Sequence, residues 1–268
     1  MRPHFSAAAL LLCSGCLFPL SALTEGRVVR TEVGDFVMKW SPDDVLDVER
    51  TAGALERASP KLLRWGKLKK AVNFYLLPTH SSLERTVRRF GFEWMHAWAQ
   101  YDAVYFQSPA TWATADPDVD ELVLHELTHC LMYQRSATAQ SWPDKQIPDW
   151  FREGMATTTA NQGFKLPGLE DLARFYEKNP GADPIGRPEE LYKASGDVVY
   201  MAAHHSFTLL LERYGEPAVL RLMDSMAAGR TFPAAFEEVI GITAAAFAKE
   251  FRQYVVTGAF KEVKAPAP

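Results

Sequence analysis

Three residues near the middle of the chain have types and spacing that suit metal chemistry. The segment HELTHC, residues 125–130, places His125 and His129 four residues apart, with Glu126 directly after the first histidine. On a helix, residues four apart lie on one face, so both imidazoles reach one ion. Glu126 then lies beside them, able to reach a water at that ion. The spacing predicts a zinc site with an adjacent carboxylate base.

The residues around HELTHC have the pattern of a helix. Asp118 and Glu121 have the spacing of a capping box, and apolar residues follow at helical positions: Leu122, Val123, Leu124, Leu127 and Leu131. HELTH is therefore predicted to lie inside a helix. Cys130 would point about 100° away from His129 around the helix axis, which favours a buried, inert thiol over a metal ligand.

A catalytic zinc ion needs a third protein ligand. The pattern HExxHxxGxxH is excluded, because the positions of its Gly and third His are Met132 and Arg135. The segment PDWFREGMATTTA, residues 148–160, has a helix start at its first two residues and Glu153 in its first turns. Its small residues, Gly154, Ala156 and Ala160, allow close helix packing, and Gly163 is expected to end the helix.

HELTH followed by WFREGMA resembles the gluzincin metallopeptidases, the clan of thermolysin-like enzymes and aminopeptidase N, and particularly its small single-domain members. The resemblance implies that His125, His129 and Glu153 bind zinc and that Glu126 is the general base. It covers the two motif helices well and residues 70–256 more loosely. The 23 residues between His129 and Glu153 are a few more than in thermolysin-like relatives. The excess lies in the polar segment QRSATAQSWPDKQ, interpreted as a loop without consequence.

A later helix is expected to contribute an electrophilic group. The segment GDVVYMAAHHSFTLLLERYG, residues 196–215, is predicted to be a long helix that ends at Gly215. In related small gluzincins a tyrosine ahead of such a helix lies across the zinc cleft, which implies that Tyr200 stabilises the oxyanion. His204 is an alternative for this role, and a core position is the alternative for Tyr200.

The ligands also need hydrogen-bond partners that orient them. Glu121 lies one turn before His125, and Thr157 lies one turn after Glu153, so either fits this role. Each is equally explained as a helix-terminus charge or a packing residue.

The order of predicted elements indicates an α+β fold. RVVRTEVGDFVMKW, residues 27–40, suggests a hairpin, and AVNFYLLP, residues 71–78, a buried strand. The aromatic-rich stretch after residue 90 is expected to be core or subunit contact, with a substrate pocket as the alternative, and it contains the strand AVYFQS, residues 103–108. By the resemblance, this strand is the edge strand that pairs with extended peptide.

From residue 118 onward nearly every periodic segment is helical, with further helix starts at Thr231 and Thr243. We therefore expect an N-terminal mixed β-sheet with helices, a zinc-binding helix pair and a C-terminal helical bundle. The domain is predicted to span residues 24–260, followed by a disordered tail, residues 261–268.

Composition limits the partners and the compartment. The chain has 268 residues, 47% of them hydrophobic, a net charge of −4 and scattered Lys and Arg residues, so nothing suggests nucleic acid. Residues 1–22 read as an export signal, with Arg2, an apolar run over residues 7–12 and small residues before Cys16. CSGC, residues 13–16, resembles the bacterial lipoprotein box, which implies acylation of Cys16. Ordinary signal cleavage near Ala22 is the alternative.

These features together predict an exported zinc metallopeptidase, lipid-anchored on the periplasmic side of a bacterial envelope, with peptide or protein as substrate. A non-catalytic zinc-binding envelope protein that binds peptides or a partner is the alternative from another class. A hydrolase of cell-wall amides is the second enzymatic alternative.

We expect Cys16→Ser to release the protein from membranes or to block its maturation, because the acylated sulfur is lost. Membrane fractionation with mass spectrometry of the mature terminus checks this. A mature terminus at Leu23 without acyl mass would contradict the lipoprotein interpretation.

Overall fold

The computed structural model describes residues 19–42 and 45–260, and it has the predicted α+β architecture. The expected export signal and lipid anchor at residues 1–18, and the expected disordered tail, lie outside the described residues. The strands are β1 Glu25–Arg30, β2 Asp35–Trp40, β3 Val72–Leu77, β4 Ala97–Ala99 and β5 Ala103–Gln107. They form one mixed sheet in the order β1-β2-β3-β5-β4.

The helices dominate the second half of the chain. They are α1 Val45–Leu62, α2 His80–Val87, α3 Asp116–Ser136, α4 Asp149–Thr159, α5 Leu169–Lys178, α6 Tyr192–Ala227, α7 Phe232–Ile240 and α8 Ala244–Val256. Gly215 interrupts α6 with φ 73° and ψ 168°, a conformation that glycine adopts without strain. The predicted helix end at Gly215 is therefore a break inside a longer element. No helix among the described residues combines the length and the apolar character needed to cross a membrane.

The sheet places β4 at its outer edge. The predicted hairpin is confirmed as antiparallel β1 and β2, and β3 lies parallel to both β2 and β5. β5 pairs with β3 on one side and antiparallel with β4 on the other. The expectation that residues 103–108 form an edge strand is therefore wrong. The chain turns back between Gln100 and Ala103, and β4 is too short to show a clear strand pattern in the sequence.

One face of the sheet packs against α1 and α3. Alternate residues of β3, Val72, Phe74 and Leu76, are fully buried, as the period of a strand requires. The Phe74 ring lies 5.1 Å from that of Phe106 in β5. α3 packs on α1 and also contacts β4 and β5. The histidine-bearing helix is thereby held between the sheet and the other helices.

The start of α3 differs from the prediction. The helix begins at Asp116, and Asp118 accepts hydrogen bonds from the main-chain N–H groups of Thr114 and Ala115. Asp118 is therefore the third helical residue and not the N-cap, and Glu121 does not complete a capping box. α4 begins at Asp149 as expected, but it ends at Thr159, before Gly163.

The C-terminal helices α7 and α8 pack against α4 through aromatic side chains. α7 and α8 follow the predicted N-cap residues Thr231 and Thr243, and the Thr243 hydroxyl accepts from the Ala246 N–H. Trp150 of α4 stacks on Phe247 of α8 at 5.4 Å, and it meets Phe236 of α7 edge-on at 6.1 Å. These aromatic contacts fix α4 against the bundle.

Gly154 allows α4 and α6 to pack closely. A Cβ at this position would lie 2.3 Å from the Ala203 carbonyl oxygen and 2.5 Å from the Phe207 Cβ, both in α6. Contacts this short are not tolerated, so any side chain here must push the two helices apart.

We expect Gly154→Ala to destabilise the protein by about 1–3 kcal/mol or more. The steric clash is expected to outweigh the gain of about 1 kcal/mol in helix propensity that alanine brings. Urea unfolding followed by circular dichroism measures the change. Gly181→Ala is the matched control, since a Cβ there would meet nothing within 4 Å. Equal stability of the two variants would contradict the close-packing interpretation.

Candidate metal centre

α3 and α4 bring His125, His129 and Glu153 together. The Nε2 atoms of His125 and His129 lie 3.2 Å apart. The Glu153 Oε2 lies 3.4 Å from the His125 Nε2 and 3.6 Å from the His129 Nε2. Three ligand atoms from two helices therefore converge on one point, and the three residues form a candidate metal-binding triad.

The separations of these atoms fit a metal ion. Ligands at about 2.0–2.1 Å from a tetrahedral ion lie roughly 3.3–3.4 Å from one another. The observed 3.2, 3.4 and 3.6 Å bracket that value. Cys130 is buried, and its Sγ lies 3.2 Å from the Gln100 carbonyl oxygen, outside the triad. The inference that it is not a ligand agrees with this geometry.

The ionisation state of Glu153 suits ligation of a cation. Burial opposes ionisation of Glu153, but His129 and His125 outweigh it and hold the pKa of this carboxyl well below its usual range. Burial likewise opposes protonation of His125, yet its hydrogen bond with Glu153 and the nearby Glu126 raise its pKa. Glu153 is thus an ionised carboxylate at neutral pH, the form that binds a cation.

Gln162 orients His125. The Gln162 Oε1 lies 2.9 Å from the His125 Nδ1, so the ring donates from Nδ1 and turns Nε2 toward the triad. Glu121 does not have this role, because its carboxylate pairs with the Lys165 ammonium at 2.5 Å. Thr157 does not have this role either, because its buried Oγ1 has no hydrogen-bond partner among the described residues. Gln162 follows α4 in a turn, where no periodicity or motif marks it in the sequence.

Glu126 lies next to the triad without belonging to it. Its side chain is buried, close to the main chain of Ala99 in β4. Burial raises the pKa of Glu126, while His125 and His129 act in the opposite direction. A carboxylate with a raised pKa is a stronger base.

The triad forms part of a cleft of about 340 Å³. The cleft walls come from four parts of the chain: the segment before and within β4, helices α3 and α4, the loops on either side of α4, and α6. The lining residues besides the triad include Trp94, Met95, His96, Trp98, Leu122, Tyr133, Trp142, Arg152, Lys165, Leu166 and Tyr200. Trp94 and Trp98 belong to the stretch expected to be core or subunit contact. Trp98 packs against a hydrophobic core cluster and also lines the cleft, whereas Trp94 is 48% exposed and lies at the cleft. Trp142 belongs to the loop interpreted as without consequence.

Tyr200 lies in this cleft, and His204 does not line it. The Tyr200 ring meets those of Trp94 at 5.7 Å and Tyr192 at 6.2 Å. Burial, together with the charge of Glu153, raises the pKa of Tyr200 well above its usual range, so the phenol stays a hydrogen-bond donor. His204 instead lies 3.2 Å from the Thr158 hydroxyl, and burial lowers its pKa to about 4.

Comparison with known proteins adds no relative. No protein-family model matches the chain, and no curated protein matches it.

We expect the purified protein to bind close to one divalent metal ion and Glu153→Ala to lose most of it, because the variant removes the charged ligand. Metal analysis by mass spectrometry after dialysis measures the occupancy. Glu121→Ala is the matched control, since its carboxylate binds Lys165 outside the triad. Full occupancy in Glu153→Ala, or loss in Glu121→Ala, would place the third ligand elsewhere.

Proposed function

We propose that this protein is a zinc-dependent metallopeptidase that hydrolyses peptide bonds. The observation that carries the proposal is the convergence of the His125, His129 and Glu153 ligand atoms within 3.2–3.6 Å, beside a buried glutamate that is not part of the triad. A structural site needs no such additional base. Its presence in an open cleft favours catalysis over metal storage or folding support.

The donor set fits zinc. Two imidazole nitrogens and one carboxylate oxygen are a ligand set of catalytic zinc sites, which keep one further position open. Bound there, zinc would supply Lewis-acid chemistry, polarising a carbonyl oxygen and making water acidic enough to attack it at neutral pH.

Glu126 is the proposed general base. Its carboxylate takes the proton from the attacking water and returns it to the amine that leaves when the peptide bond breaks. Burial supports this role by raising the pKa of the group.

Tyr200 is the proposed oxyanion donor. As the carbonyl becomes tetrahedral, its oxygen gains negative charge, and a phenol hydrogen bond stabilises that charge. The position of Tyr200 in the cleft and its raised pKa support the assignment.

The outer edge of β4 is the proposed platform for an extended peptide. His96 and Gln100 form main-chain hydrogen bonds with Gln107 and Ala103 at 2.8 Å, next to the two ends of β4. Because bonded residues alternate in an antiparallel pair, the main-chain groups of Ala97 and Ala99 point away from β5. A substrate strand placed there would pair with them beside Glu126. The edge strand of this proposal is thus β4 and not residues 103–108.

We further propose that the protein is exported and lipid-anchored in a bacterial envelope. Residues 1–22 and Cys16 in particular support this through their sequence pattern.

We expect Glu126→Gln to lower peptide cleavage by 10²- to 10⁴-fold, on the order of 3–5 kcal/mol of transition-state stabilisation, while zinc content and fold stay intact. The amide keeps the shape of the side chain but takes up no proton. Cleavage of a mixed peptide library, followed by mass spectrometry, measures the loss. The exposed Glu177→Gln is the matched control.

In the same assay Tyr200→Phe should lower kcat with little change in KM, because it removes only the hydroxyl. Undiminished cleavage by Glu126→Gln would contradict the mechanism. A zinc-loaded wild type that binds peptides but cleaves none would favour a non-catalytic binding protein, and cleavage restricted to cell-wall amides would favour the other enzymatic alternative.

A further inference from the structure

The loop between α3 and α4, residues 137–147, forms part of the cleft wall. Trp142 within this loop lines the cleft together with the metal-binding triad. Its ring lies 4.5 Å from that of Tyr133, which stacks at 6.1 Å on the ring of His129. Only one aromatic ring therefore separates Trp142 from a residue of the triad.

A buried lysine fixes this loop to the far end of α6. The Lys145 side chain is only 7% exposed, and its ammonium donates to the carbonyl oxygens of Met226 and, at 3.1 Å, Arg230. The Met226 carbonyl lies in the last turn of α6, where the helix dipole favours a cation, and Arg230 lies three residues beyond the helix. Removing an ammonium from water is costly, so it stays buried only where such acceptors replace the water.

The start of the loop is also held in place. The Tyr101 hydroxyl donates to the Ala137 carbonyl at 3.2 Å, and the Thr138 N–H donates to the Ser141 hydroxyl at 3.1 Å. With Lys145 three residues after Trp142, the loop is fixed on both sides of the tryptophan. Its ring is thus preorganised and has little freedom to lose when a ligand binds.

The cleft cations near this wall are already neutralised. Arg152 forms an ion pair with Asp149, and it donates to the Tyr133 hydroxyl at 3.2 Å. Lys165 pairs with Glu121. The charges of Arg152 and Lys165 are thus already balanced by carboxylates of the protein, whereas the faces of Trp142 and Tyr133 offer apolar surface.

We propose that Trp142 determines specificity, forming with Tyr133 a wall that accepts a large aromatic or aliphatic side chain of a peptide next to the bond that is cleaved. Lys145 is the positioning residue that holds Trp142 there. This inference rests on the proposed peptidase function and names its substrate class.

The test compares two peptides that are identical except for Phe or Ala at the residue beside the cleaved bond, with the register taken from library cleavage. The wild type should prefer the Phe peptide in kcat/KM by about 10-fold or more. Trp142→Ala should remove most of that preference. Lys145→Met should lower it through KM, with kcat for the Ala peptide near the wild-type value.

Two controls match these variants. Phe90→Ala removes an exposed aromatic ring away from the cleft lining, and Lys178→Met removes an exposed ammonium; both should keep the wild-type preference. Circular dichroism checks folding, and if Lys145→Met fails to fold, Trp142→Ala decides the proposal.

Binding separates this inference from the proposed function. Fluorescence anisotropy of the two labelled peptides on zinc-loaded Glu126→Gln should show the same preference and the same loss with Trp142→Ala. If the wild type cleaves no peptide, the proposed function fails, and the role of Trp142 is then decided by whether zinc-loaded wild type binds Phe-containing peptides more tightly than their Ala counterparts and loses this preference in Trp142→Ala. An unchanged Phe preference in Trp142→Ala overturns the specificity assignment, and an unchanged preference in folded Lys145→Met overturns the positioning role.

Discussion

The close approach of α4 to α6 is the constraint on which the candidate metal centre depends. Gly154, where the two helices meet, directly follows Glu153. The same turn of α4 therefore packs against α6 and presents a ligand to α3. Trp150, one turn earlier, is held by aromatic rings of α7 and α8. Because packed helices do not shift freely, the Glu153 carboxylate is held within 3.6 Å of both histidines.

The surroundings shift the pKa values of Glu126 and Glu153, two glutamates of one cleft, in opposite directions. His129 and His125 overcome the burial of Glu153 and keep it ionised, as ligation of a cation requires. For Glu126, burial outweighs the same histidines and raises its pKa. Such a divergence between neighbouring carboxyls is typical of sites in which one group binds and the other transfers protons.

The cleft walls are assembled from segments far apart in the chain. β4 contributes its outer main-chain edge beside Glu126, while α6 contributes Tyr200. The loop between the two ligand-bearing helices contributes Trp142, anchored through Lys145 to the end of α6. A loop that appears in the sequence as a polar insertion is therefore part of the cleft.

The sequence by itself determined the α+β order of elements, the helical position of HELTH, the start of α4 and the residue types of the triad. These follow from helical and strand periodicity and from capping preferences, which are local properties of the chain. Only the tertiary structure decided that Gln162 orients His125, that β4 is the edge strand, that Trp142 reaches the cleft and that His204 does not line it. Each of these depends on contacts between segments distant in sequence, for which residue spacing along the chain carries no signal.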